Sequence, residues 1–162
     1  MAVYHNFEFV DERNDCMIAK INIEDIFLDY VIERQGYEVD RLYNLIPSIN
    51  PSYVKEPYRS KVPSDKGLNY CGMSVINHYS FDYLKKIFLE WIGVLEELDD
   101  EYYYPYLVNL NEDELAEISF EEMKELKEAF FVKSEVLKKL NICMHYLETM
   151  NPPDIVIYYY GI

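Results

Sequence analysis

The sequence predicts an α+β fold, a small and mostly antiparallel sheet packed against a core helix and a C-terminal helix or helix pair, and three stretches carry that expectation. From Asn69 to Leu98 the hydrophobic period changes once, from a short β-like run to a helical stripe. Ser119-Phe120-Glu121-Glu122 is a capping box that opens a second helical pattern. Asp154 to Tyr160, DIVIYYY, is a β-branched and aromatic run bounded upstream by Pro152-Pro153.

Taken in order, residues 1–10 alternate weakly and predict a strand with Val3, Phe7 and Phe9 on one face. The charged DERND, residues 11–15, is a turn. Cys16 to Ile23 alternates again and predicts a half-buried strand, with a helix lead-in as the alternative. Ile23, Ile26, Phe27, Tyr30 and Val31 then step at helical spacing towards Gly36, a good residue to end a helix, so 23–35 is expected to be helical. Asp40 to Leu45 has room for one helical turn. Pro47, Pro51, Pro57 and Pro63 deny a long regular element to residues 47–68, which predicts an extended loop whose order the sequence leaves open.

Tyr70 to Ile76 is the strand that feeds the core helix. That helix, residues 80–98, places Phe81, Leu84, Ile87, Phe88, Trp91, Ile92, Leu95 and Leu98 on one stripe, with Ser80 at the N-cap position. A short strand is expected within Tyr103 to Leu110, and the acidic Glu112-Asp113-Glu114 reads as a solvated turn. From Phe120 to about residue 150 the stripe runs through Met123, Leu126, Phe130, Leu137, Leu140, Met144 and Leu147. Lys133 and Ser134 interrupt it, so one helix or two fit equally. The uncharged Ile155 to Ile162 predicts a strand paired inside the sheet rather than on a bare edge.

At 162 residues, half of them apolar, the chain fits a single globular domain, residues 1–162, able to bury a core without disulfide staples. Thirty acids against fifteen bases give a formal charge of −15, which argues against a phosphate-tracking nucleic-acid binder and for a basic protein partner. The charge is uneven: residues 96–128 hold thirteen acids and two bases, whereas 41–95 are slightly basic. Cys16, Cys71 and Cys143 form neither a disulfide framework nor a C-x-x-C pair, which suits a reducing cytoplasm. No apolar run reaches the length of a membrane span, so no membrane partner is expected.

Motifs for chemistry are sparse. A cysteine nucleophile would need a histidine held beside it, and Cys71 with His78 or His145 is the one candidate set for a small cysteine-dependent hydrolase. A small hydrophobe at a strand start explains Cys71 as well. Cys143 and His145, two residues apart on a helix, point to different sides and do not make a metal pair. Residues 112–114 lack the glycine and terminal Glu of a calcium loop. The five glycines are scattered, so no phosphate loop and no cofactor are expected.

One constellation stands out, DDEYYYPY at residues 99–106. Tyrosine supplies large, rigid contact area with a polar tip, and neighbouring carboxylates steer a basic partner. Tyr102, Tyr103, Tyr104 and Tyr106 are the expected anchors. Asp99, Asp100, Glu101, Glu112, Asp113 and Glu114 are the expected electrostatic rim. The octet resembles the acidic Tyr-Tyr-Pro recognition stretch of the small colicin-type immunity proteins, which bind and block basic nuclease toxins. Those are short four-helix domains, so the resemblance is one of surface chemistry over eight residues and implies a partner class rather than a fold. The expectation is a non-catalytic inhibitor of a basic toxin domain, of immunity or antitoxin type. The alternatives are a nucleic-acid mimic that inhibits a DNA-binding protein, the cysteine hydrolase, and a scaffold subunit forming a homodimer through Tyr158 to Tyr160.

Overall fold

The computed structural model describes residues 4–36, 41–105, 110–150 and 152–161. Its framework is a four-stranded antiparallel sheet in the order β2-β1-β8-β5, built from β1 (Tyr4–Asp11), β2 (Cys16–Glu24), β5 (Met73–Asn77) and β8 (Ile155–Gly161). The C-terminal strand lies in the middle, paired with β1 from His5↔Gly161 to Asp11↔Ile155 and with β5 from Met73↔Tyr160 to Asn77↔Val156. Strand β8 therefore has no exposed edge, as its lack of charge implied. The β1–β2 hairpin closes through Asp11, which accepts from the Asn14 backbone N–H at 3.0 Å, and through Asp15 at φ 50°.

One face of the sheet, carrying Phe7, Phe9, Ile21, Ile23, Ile76, Ile157 and Tyr159, packs against three helices, α1 (Asp25–Gln35), α3 (Phe81–Glu96) and α6 (Lys133–Thr149). Helix α3 buries Phe81, Leu84, Ile87, Phe88, Trp91, Val94 and Leu95, and each such side chain contributes roughly 1.5–3 kcal/mol by leaving water. Its start differs from expectation. Ser80 does not cap it; its hydroxyl donates to Pro47 O at 2.7 Å, tying α3 to the short β3 (Pro47–Ser48). The one-turn α2 (Arg41–Asn44) precedes β3, and β4 (Asp65–Lys66) pairs with β3.

The Pro-rich loop is ordered. Glu12 accepts from the backbone N–H groups of Tyr58 and Arg59 at 2.6 and 2.7 Å, and Asn77 Nδ2 donates to Tyr58 O and Lys61 O at 2.9 and 2.7 Å. This lays Ile49 and Tyr58 over Val75 and Val156 on the second face of the sheet.

Two expectations in the acidic region are corrected. Among the described residues, the strand expected within Tyr103 to Leu110 is β6 (Tyr102–Tyr103), one residue earlier than expected; residues 106–109 lie outside the described set. Glu112 to Glu114 form no turn but open α4 (Glu112–Glu117), because Asn111 accepts from Glu114 N at 2.9 Å while Glu114 accepts from Asn111 N at 2.8 Å, a capping box that the acidic reading obscured. The Ser119–Glu122 box does start α5 (Phe120–Glu128). The chain then breaks at β7 (Phe131–Val132) before α6, so the helical pattern is two helices.

Candidate functional site

The break between α5 and α6 explains the surface beside it. Strand β7 pairs with β6, Tyr102 opposite Val132 and Tyr103 opposite Phe131, so two segments far apart in the chain meet edge to edge. Alternation does the rest. Tyr103 turns inward, its ring 4.8 Å from Tyr30 and 5.8 Å from Phe131. Tyr102 and Tyr104 turn the other way and flank Phe130 with centroids at 5.9 and 5.4 Å. Tyr102 is 57 % exposed and Phe130 38 %, and Tyr104 is half-buried, so two rings of the trio meet solvent.

Of the expected anchors, then, Tyr102 and Tyr104 join one surface, Tyr103 is a wedge into the core, and Tyr106 lies outside the described residues. Among the acids, Asp99, Asp100 and Glu101 are exposed and directly precede Tyr102 in the chain. Glu101 also has a structural task, since its carboxylate accepts from Ser134 N at 3.2 Å and its carbonyl from Lys133 N at 2.8 Å. Glu112, Asp113 and Glu114 are exposed on α4, and no described contact joins them to Tyr102 or Tyr104. Phe130 was expected in the core stripe; the chain break puts Phe131 and Val136 there instead.

Behind Tyr103 opens a cleft of about 380 Å³ between the C-terminal ends of α1 and α3. Glu33 and Arg34 come from the last turn of α1, Glu97 and Leu98 from the end of α3, and Asp99 and Asp100 from the segment leading to β6. Tyr30, Val94, Tyr103 and Pro105 complete the wall. Four carboxylates and one guanidinium line the cleft, and both helices present the negative ends of their dipoles here. The Tyr30 hydroxyl is pushed up to about 12, first by burial and then by its hydrogen bond with Tyr103.

A second polar cluster lies inside the fold, around His5 and Asp25, which sequence reasoning did not single out. His5 Nε2 is 2.6 Å from Asp25 Oδ1, and the Tyr70 hydroxyl donates to the same oxygen. His5 Nδ1 lies 2.6 Å from the hydroxyls of both Tyr43 and Tyr159. Burial holds the His5 pKa below its ordinary value, with Asp25 opposing, so the neutral ring donates from Nε2 and accepts at Nδ1. Burial, then donation to Asp25, raises Tyr70. With His5 fully buried, the dyad has no face for a substrate; it braces β1, α1, α2, β8 and the turn before β5. A signal existed in the sequence, for His5 shares strand parity with Phe7 and Phe9, and a histidine on a core face needs a partner.

The cysteine set does not assemble. Cys71 is exposed on the turn before β5, with its backbone N–H bonded to Asn69 Oδ1 at 3.3 Å. His78 packs on Tyr79 and His145 is exposed on α6. Among the described residues no hydrogen bond links a thiol to a histidine, and no three His, Cys, Asp or Glu side chains are gathered as metal ligands. Tyr158 packs on Tyr58 and Tyr159 is buried against His5, so both have partners within the chain. No described helix is long and apolar enough to cross a membrane.

Comparison with known proteins returned no match: no family model, no curated protein and no solved structure resembles the chain.

Proposed function

We propose that this chain is a non-catalytic binding protein that neutralises a basic protein partner, a toxin domain, in the manner of an immunity or antitoxin-type inhibitor. The observation that carries the reading is the ring trio Tyr102, Phe130 and Tyr104, two of its rings exposed, with the exposed acids Asp99, Asp100 and Glu101 immediately before it in the chain. Packing does not require these rings at the surface, since Tyr103 and Phe131 already serve the core at this position. Exposed aromatic clusters edged by charge are the usual make-up of protein-binding hot spots. The carboxylates steer a basic surface towards the rings and repel acidic competitors.

The test is co-expression in a bacterial host. Each gene flanking this one is expressed alone and with this chain. A flanking product that arrests growth, with rescue by this chain and no rescue by the Tyr102→Ala/Tyr104→Ala double variant, supports the reading. Absence of any toxic flanking product, or rescue undiminished in the double variant, overturns it.

A further inference from the structure

We infer that two copies of this chain pair by exchanging Phe120, the ring of each entering an apolar pocket between Leu45 and α3 of the other. Phe120 opens α5 and is 82 % exposed, the highest value among the described residues for a large side chain without a polar atom. It belongs to neither buried apolar cluster. The box that starts α5 uses Ser119 and Glu122 and asks nothing of the residue between them, so helix formation does not account for a phenylalanine there. An apolar ring held this far out of its own fold is the usual mark of a surface that another molecule covers.

The pocket that fits it lies elsewhere on the chain. Leu45 and Ile46, between α2 and β3, meet Tyr83, Lys86 and Ile87, which share one side of α3 at steps of three and four. Ile46 and Ile87 are buried, while Leu45, Tyr83 and Lys86 are exposed. Its volume of about 320 Å³ exceeds the roughly 150 Å³ that holds a benzene ring. The Lys86 amine and the Tyr83 hydroxyl are the polar side-chain groups in its lining.

Charge decides the occupant. Lys85 is taken by Asp82 at 3.5 Å, but Lys86 has no ion pair among the described residues. Next to Phe120, Glu122 is held by Ser119, whereas Glu121 is exposed and has no ion pair among the described residues. A Phe120 ring that enters the pocket carries Glu121 towards Lys86. The same match holds over longer stretches, since the pocket belongs to the slightly basic residues 41–95 and Phe120 to residues 96–128 with their thirteen acids and two bases. A basic partner meets Lys86 with like charge, so the pocket suits an acidic occupant, and the chain itself carries one. Exchange in both directions makes a two-fold contact that closes after two copies.

The test is sedimentation of the full chain from low micromolar to submillimolar concentration. The wild type should pass from monomer to dimer and grow no further. Phe120→Ser and Leu45→Ser, both at exposed positions, should each weaken the dimer at least about ten-fold. Lys86→Glu and Glu121→Lys should each weaken it roughly five-fold, and Lys86→Glu/Glu121→Lys in one chain should restore it, which loss of folding cannot do. Tyr102→Ala should leave it unchanged. A chain that stays monomeric, a dimer untouched by Phe120→Ser, a double variant no tighter than the single ones, or a dimer lost in Tyr102→Ala would overturn the exchange.

Discussion

His5 and Asp25, twenty residues apart in the chain, meet at 2.6 Å inside the fold, and through Tyr43, Tyr70 and Tyr159 they join five segments around one buried imidazole. Because burial lowers the His5 pKa in the folded chain, the unfolded chain takes up the proton first as pH falls. The contribution of neutral His5 is complete above the unfolded value near 6.5 and is lost progressively below it. Urea midpoints should fall between about pH 7.5 and about pH 5 more steeply in the wild type than in His5→Phe. At the upper pH, His5→Phe should cost about 2–3 kcal/mol, since the buried Asp25 carboxylate loses the donor that His5 supplies.

Tyr103 separates from its neighbours by the same logic of facing. Tyr103→Ala removes a ring wedged between Tyr30 and Phe131 and should cost about 2–3 kcal/mol of stability. Tyr102→Ala, at an exposed ring, should stay within about 0.5 kcal/mol of wild type. Chemical denaturation of the two variants distinguishes them; equal losses would mean that the two rings do not face opposite ways across β6.

The framework was legible where a residue's neighbours in the chain decide its fate. The stripe of α3, the box at Ser119 and the uncharged β8 each have a local cause, and each forms. What escaped was set by distant partners. Phe130 leaves the helical stripe because β7 is recruited by β6 across the fold, and His5 finds Asp25 only after β1 and α1 pack. At Glu112 to Glu114 the acids looked like solvated charge, although the local Asn111–Glu114 spacing marks a helix start. The ring patch was half legible for that reason: composition located it, while strand parity sorted its members.

Glycines near the buried cluster offer a sharper test of close packing. A Cβ on Gly161 would lie 1.6 Å from Tyr70 O, and one on Gly67, at φ +80°, 1.6 Å from Tyr43 O. Both carbonyls belong to segments that carry hydroxyls to the His5–Asp25 pair. Gly161→Ala and Gly67→Ala should each cost at least about 2 kcal/mol, through backbone displacement. Gly93 lies inside α3, where a Cβ would have open space around it to 4 Å, so Gly93→Ala should instead stabilise by about 0.5–1 kcal/mol. Thermal melts of the three variants read the opposite signs.

Thiol chemistry should divide the cysteines by burial. Cys143 is buried in α6 and its thiol is pushed up to about 12 by that burial, so it stays protonated and shielded. Cys16 and Cys71 are exposed. An aromatic disulfide reagent at neutral pH should titrate these two quickly in the native chain and Cys143 only after denaturation. Rapid reaction of Cys143 in the native chain would show that α6 opens readily from the sheet.

Charge and rings should act on different rate constants once a partner is in hand. Asp99 and Asp100 are exposed and act at a distance, so their effect lies in encounter and is screened by salt. Raising the salt from about 0.05 M to about 0.5 M should slow association at least about ten-fold and leave dissociation nearly constant. Asp99→Asn/Asp100→Asn should reproduce part of that slowing at low salt. Tyr102 and Tyr104 act only in contact with the partner, so Tyr102→Ala/Tyr104→Ala should speed dissociation at every salt concentration. Stopped-flow association paired with surface-immobilised dissociation measures both. An association rate indifferent to salt would remove steering from the mechanism, and an unchanged dissociation rate in the tyrosine variant would remove the ring trio from the interface.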